Sequence, residues 1–125
     1  MKNRGFTLIE LLITLMIIGI LGTISYPLYN EHLVKMRRTY AITSLMNAAG
    51  KMEEHYVLHN TYNNVTIDNI NHYHLYPTAT DDTYVLHADP LGKQAEYDTL
   101  CGSLTFDQNG NRDISGGGSA EECWR

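Results

Sequence analysis

From Phe6 to Tyr29 the chain is almost uninterruptedly apolar, and Glu10 is the single charged residue in that run. As a helix, these roughly 24 residues would measure about 36 Å, enough to cross a bilayer core with some tilt. From Asn30 to about His59 the pattern changes. Ala41, Leu45, Ala48, Met52, Tyr56 and His59 recur at spacings of four, three, four, four and three, which is one face of a helix. Lys35, Arg37, Arg38, Lys51, Glu53 and Glu54 fall mostly off that face. The two halves together predict one helix from Phe6 to near His59, roughly 80 Å long. Asn60 and the Asn63-Asn64 pair stop it.

Residues 60–83, with Asn63, Asn64, Asn69, Asn71, Pro77, Asp81 and Asp82, read as an irregular connection, a kind of segment that often carries function. Strands are expected at Tyr84–Ala88, closed by Asp89-Pro90, and from about Tyr97 through Phe106. Asn109-Gly110 is a tight-turn signal, and Asn111–Ser115 can return as a further strand. Gly116-Gly117-Gly118-Ser119 reads as a flexible stretch that lets the tail fold back. The expected class is α+β: a long N-terminal helix with its apolar half protruding and its amphipathic half on a small antiparallel sheet of three or four strands.

At 125 residues the chain is one domain by length. A formal charge of −5 and a mean hydropathy of −0.28 look ordinary, but they hide a division. Residues 11–30 carry no charge, whereas residues 51–125 hold 12 acidic side chains against four basic ones. With 43% hydrophobic and 18% charged residues, the overall balance argues against a coiled rod, a disordered tail and a basic nucleic-acid module, and the division argues against a single-domain cytosolic enzyme. No nucleophile–base pair, phosphate loop or metal cluster is seen, so no catalytic residue and no cofactor are assigned. His55 and His59, and His72 and His74, have spacings that could hold a divalent metal. Neither pair has a Cys pair or a His-Glu-x-x-His arrangement beside it, and no metal is expected. Lys35-Met36-Arg37-Arg38 could touch phospholipid headgroups or DNA, but reads more simply as a solvated or intersubunit helix face, since three charges are a small footprint.

The N-terminus invites two ordinary readings. A secretory signal peptide also has a basic start and an apolar run, but Gly22-Thr23-Ile24-Ser25 is a poor cleavage site. A plain membrane anchor leaves Glu10 unexplained, and a carboxylate inside such a helix costs about 2.5–3.5 kcal/mol on insertion scales. Lys2 and Arg4 would stay cytoplasmic under the positive-inside bias.

Gly5-Phe6-Thr7-Leu8-Ile9-Glu10-Leu11 and the apolar residues through Pro27 resemble the type IV pilin family. The resemblance implies that a prepilin peptidase removes a leader, Met1–Gly5, and N-methylates the new amine of Phe6. Residues 6–29 would then serve as transmembrane and filament-core helix, and residues 30–125 as the head. Glu10 would neutralise the N-terminal amine of an adjacent subunit and so set axial register. Gly19, Gly22 and Pro27 would weaken or kink the helix, which partly unwinds in related filaments.

Cys101 and Cys123 are the only cysteines. In a chain exported past the inner membrane they are expected to pair. A nucleophilic cysteine using one of the histidines has no supporting motif. A Cys-bounded C-terminal loop, here residues 101–123, is a feature of type IV pilins. Cys101–Gly110 with the closing Cys123-Trp124-Arg125 is most similar to the PilE-type minor pilins of the type IVa system. That similarity implies a low-abundance subunit linking the initiating minor pilins to the major pilin, in pili used for adhesion, twitching motility or DNA uptake. Implied partners are other pilins, the prepilin peptidase and the inner-membrane assembly platform. Before assembly the chain would sit in the bacterial inner membrane with its head in the periplasm, and afterwards in an extracellular pilus. A major pilin, a type II secretion pseudopilin and a DNA-binding competence pilin remain as rivals. The acidic head is adverse to DNA, because phosphate binding needs concentrated positive charge.

Overall fold

A computed structural model describes residues 4–125; Met1, Lys2 and Asn3, the greater part of the expected leader, lie outside the described residues. The chain divides into two compact units, residues 1–33 and 34–125. Helix α1 (Leu8–His59) begins two residues later than Phe6 and ends where the asparagines were expected to stop it. Asn60 takes a left-handed φ of 57° and its N–H donates to the Tyr56 carbonyl at 2.7 Å, which closes the last turn.

From Phe6 and Leu8 through Leu28 and Tyr29, every large apolar side chain of the first unit is exposed. Gly19, Gly22 and Pro27 all lie inside α1, whose helical course is unbroken through them. Pro27 has no N–H, so the Thr23 carbonyl lacks its usual helical donor. Three hydroxyls fold back on this part of the helix: Thr14 donates to the Glu10 carbonyl, Thr23 to Ile20 and Ser25 to Leu21, at 2.7–2.8 Å. Each hydroxyl is thereby satisfied without water.

The second unit is built on four strands: β1 (Tyr73–Ala79), β2 (Tyr84–Pro90), β3 (Leu104–Asp107) and β4 (Arg112–Ile114). They lie side by side in chain order, all antiparallel, with Leu75 opposite Ala88, Leu86 opposite Phe106 and Leu104 opposite Ile114. Tyr73, Leu75, Tyr84, Leu86, Ala88 and Leu104 point inward and bury against Ala41, Leu45, Ala48 and Met52 of α1. Four of the six positions on the expected helix face are therefore core. Tyr56 is half-buried, stacked on Tyr62 with ring centres 4.5 Å apart, and His59 is exposed.

Two stretches differ from the sequence reading. The connection read as irregular over 60–83 contains β1. Pro77 had suggested a loop, but β1 is an edge strand, where a missing N–H leaves no ladder bond unmade. The strand expected from Tyr97 to Phe106 starts only at Leu104, and residues before it form a short helix, α2 (Gly92–Tyr97).

The reason is a buried polar network. Gln94 and Asp98, one helical turn apart, both turn inward and are almost wholly buried. Arg38 of α1 donates twice to Asp98, Nε to Oδ2 at 3.0 Å and Nη2 to Oδ1 at 2.8 Å, in a fork. The Gln94 amide donates to the Tyr73 hydroxyl at 2.9 Å and to the Val34 carbonyl at 3.1 Å. The Tyr73 hydroxyl donates in turn to Asp98 at 3.5 Å, and burial pushes its pKa up to about 12. This network clamps α2 and β1 to the start of the head's helix. It also narrows the reading of the basic cluster, since the Arg38 guanidinium is engaged by Asp98 rather than fully solvated.

Removing one partner of a buried pair leaves a charge without compensation. Asp98→Ala should lower stability by about 2–3 kcal/mol, at the low end for such losses because Arg38 keeps some contact with water. Urea unfolding of the full chain in mild detergent, followed by Trp124 fluorescence, measures this. Asp98→Asn, which keeps two acceptor or donor atoms in place, should lose less.

Candidate functional site

Two parts of the chain carry the residues singled out from sequence. The first is the start of α1. Gly5 and Phe6 lie ahead of the helix, outside any regular element, and both are exposed. Thr7 and Glu10 form a reciprocal cap: the Thr7 N–H donates to Glu10 Oε2 at 3.1 Å, and the Glu10 N–H donates to Thr7 Oγ1 at 3.2 Å. The Thr-x-x-Glu spacing is a capping box and was legible in the sequence, where Glu10 was read only for its charge. The cap satisfies two N–H groups that an α-helix leaves without partners at its first turn. It also places a carboxylate at the positive end of the helix dipole. Glu10 thus has a local role in the single chain, and its side chain remains exposed.

The second part is the C-terminal region. Cys101 and Cys123 are disulfide-bonded, with Cα atoms 5.8 Å apart and a sequence separation of 22. A loop of that length stabilises by roughly 3 kcal/mol in the chain-entropy account. Inside the loop the glycine run is not merely flexible. The Gly116 N–H donates to the Cys101 carbonyl at 3.0 Å and the Gly118 N–H to the Leu100 carbonyl at 2.8 Å. A Cβ at Gly116 would fall on the Leu100 carbonyl, so the close backbone approach requires glycine there.

The loop closes through a short helix, α3 (Ala120–Cys123), and Trp124. Trp124 is 7% exposed; its indole N–H donates to the Asp113 carbonyl at 3.0 Å, and its ring lies near Phe106. The Arg112 guanidinium sits 5.6 Å above that ring, a cation–π arrangement. Between β3 and β4, Asp107 accepts from the N–H groups of Asn109 and Asn111, both at 2.9 Å. Those bonds, Asn111 foremost, hold the Asp107 carboxyl below the usual carboxylate range.

The histidines do not converge. His55 and His59 stack on each other, and His55 Nε2 bonds to the Asn63 carbonyl oxygen at 2.9 Å. His72 has a left-handed backbone ahead of β1, while His74 pairs with Asn69 and stacks on Tyr76. Tyr76 in turn stacks on His87 across the strand pair. Among the described residues no three His, Cys, Asp or Glu side chains come together in a way that could hold a metal ion. What the geometry offers instead is surface: an uncovered apolar helix, a capped helix start and a disulfide-pinned loop.

Residues 1–26 match a family model described as the prokaryotic N-terminal methylation motif. Residues 27–105 match one described as type IV minor pilin ComP, DNA uptake sequence receptor. Among curated relatives, fimbrial protein EcpB of Eikenella corrodens is 59% identical over 34 residues, which is 27% of this chain and 21% of that protein. Fimbrial protein Q of Moraxella bovis is 48% identical over 49 residues, 39% of this chain and 30% of that protein. The chain thus spans less than a third of the length of these curated relatives. A solved type IV pilin from Shewanella oneidensis superimposes with a TM-score of 0.56 at 28% identity, covering 63% of this chain and 89% of that one. The non-core minor pilin PilV of Neisseria meningitidis gives 0.60 at 22% identity, covering 68% and 89%, and shows the shared fold. With one family model matching well over half of its length, the chain belongs to the type IV minor pilin family.

Proposed function

We propose that this protein is a minor subunit built into type IV pili, acting as an adaptor between the initiating minor pilins and the major pilin. One observation carries the reading: the helix from Leu8 to Tyr29 presents large apolar side chains on all sides with no protein cover. Such a surface needs lipid before assembly and neighbouring helices afterwards. Prepilin peptidase would cut between Gly5 and Phe6, which are exposed and ahead of the helix, and would methylate the Phe6 amine. In the filament, the Glu10 carboxylate would leave its cap on Thr7 and pair with the amine of an adjacent subunit. A buried carboxylate with a partner at only one height fixes the axial step, because every other height leaves the charge unpaired. Gly19, Gly22 and Pro27 supply the stretch where the helix can unwind as subunits pack. The platform in the inner membrane would draw the chain out, with the head first on the periplasmic side and later on the outside of the pilus.

The family description favours a second reading, a DNA receptor. The charge distribution opposes it. Of the basic residues after position 50, Lys51 donates to the Thr66 carbonyl and Arg112 lies over Trp124, leaving Lys93 and Arg125 among 12 acidic side chains. Duplex DNA binding draws most of its strength from released counterions, which needs several clustered cations.

Two outcomes follow. Glu10→Ala should insert in the membrane at the normal level yet fall at least about tenfold in sheared pili, as expected when a buried charge loses its partner. Immunoblots of membrane and pilus fractions compare the two, and equal incorporation would remove the register role. In a gel shift at low salt, the chain in detergent should leave duplex DNA unretarded; a salt-sensitive shift at micromolar protein would favour the receptor reading instead.

A further inference from the structure

Ten asparagines lie along the chain, and only Asn64 is followed two residues later by a Ser or Thr with no Pro between. Asn64-Val65-Thr66 is therefore an acceptor sequence for a sugar on the side-chain amide. The spacing has a chemical basis. A hydroxyl two residues on can reach back to the asparagine side chain and hold its amide in a turn.

Spacing alone does not make a site; presentation does. Asn64 lies in the turn that follows α1, with a left-handed φ of 67° that asparagine tolerates. Asn64 and Thr66 are both exposed, while Val65 between them packs against the core of the head. Lys51 Nζ donates to the Thr66 carbonyl at 2.8 Å and ties the segment to α1. The motif is thus held at the surface with its apolar member inward and its two reacting members outward. Neighbouring asparagines serve the fold instead: Asn63 Nδ2 donates to Asp81, and Asn69 Oδ1 accepts from the Leu75 N–H. Along the motif runs an open groove of about 360 Å³, walled on the α1 side by Lys51, Glu54, His55 and Leu58. Leu58 is 70% exposed. Such a groove suits a sugar, whose hydroxyls can meet the polar side chains while its C–H faces cover the apolar one.

We propose that Asn64 is an N-glycosylation site that takes its sugar from a glycosyl diphosphate donor. Asn64 Nδ2 attacks the anomeric carbon, and the new C–N bond forms as the bond from that carbon to the diphosphate oxygen breaks. The bonding pair leaves with the diphosphate, and the transferase takes up the proton that Nδ2 loses. A polyprenyl-linked and a nucleotide-linked sugar share this chemistry. The inference goes beyond the pilus role and does not rest on it.

The test uses the full chain immunoprecipitated from the cells that natively make it, without selection for pili. Chymotrypsin cuts after Tyr62 and Tyr73, and mass spectrometry reads residues 63–73 for the added mass of one or more sugars. Most of that peptide should be modified, with the sugar localised to Asn64 by fragmentation. Asn64→Asp, which still accepts the left-handed turn, and Thr66→Val should each lose the modification, whereas Thr66→Ser should keep it. The Cys101–Cys123 disulfide, read in the same digest, checks that each variant has folded. Washed membranes should modify the purified chain in detergent if the donor is polyprenyl-linked, and cytosol with nucleotide sugars if it is the other. An unmodified peptide from native cells would overturn the proposal. Sugar that persists in Asn64→Asp would overturn it too, and would place the sugar on a hydroxyl instead.

Discussion

Helix α1 carries two kinds of apolar surface that a head of this size cannot both cover. Ala41, Leu45, Ala48 and Met52 are satisfied by the sheet, and two of the four are alanines, which lets β1, β2 and β3 close over them. The residues through Tyr29 have no such cover and run round the whole helix rather than along one stripe. A helix apolar on all sides belongs in lipid or among other helices. The protein is therefore incomplete as a single chain in water, and its behaviour is set by what covers that surface at each stage.

Polar groups on the helix find their partners within it. Thr14, Thr23 and Ser25 turn their hydroxyls onto the helix's own carbonyls, so none needs a partner from outside. Glu10 is tied by its cap to Thr7. A charge held that way has two hydrogen-bonded contacts within its own helix start. Farther along, Arg38 and Asp98 join elements 60 residues apart, and this one pair, with Gln94 and Tyr73, decides how α2 meets the helix. The disulfide then limits the freedom of everything from Cys101 to Cys123, and Trp124, the next residue, has its ring near Phe106.

Much of this was readable from residue order alone because the signals are local. The helix follows from periodicity, its end from Asn60, and the β3–β4 turn from Asn109-Gly110. The N-terminal motif pointed to the family. The parts that were not legible depend on distant contacts. Nothing near Arg38 in sequence announces that Asp98 will bury it, and nothing near Asp98 announces that the expected strand begins only at Leu104, after α2 and a turn. Strand β1 was hidden for a different reason: Pro77 is a poor strand residue unless the strand lies at an edge, and edges are set by topology. The Thr7–Glu10 cap is legible in the Thr-x-x-Glu spacing, although the charge of Glu10 inside an apolar run is the stronger signal there. The glycines at 116 and 118 looked like a linker, yet their role is close packing on the Leu100 carbonyl, which only the folded chain reveals.

The central claim is that this chain is processed at Phe6 and built into pili as a minority subunit. Quantitative mass spectrometry of sheared, purified pili tests it most directly, reading the N-terminal peptide and the ratio of this subunit to the major pilin. The account predicts a methylated Phe6 terminus and a ratio far below one. A ratio near one would make it the main structural subunit. Absence from pili, with an intact Met1 or a terminus near Ser25, would contradict the account altogether.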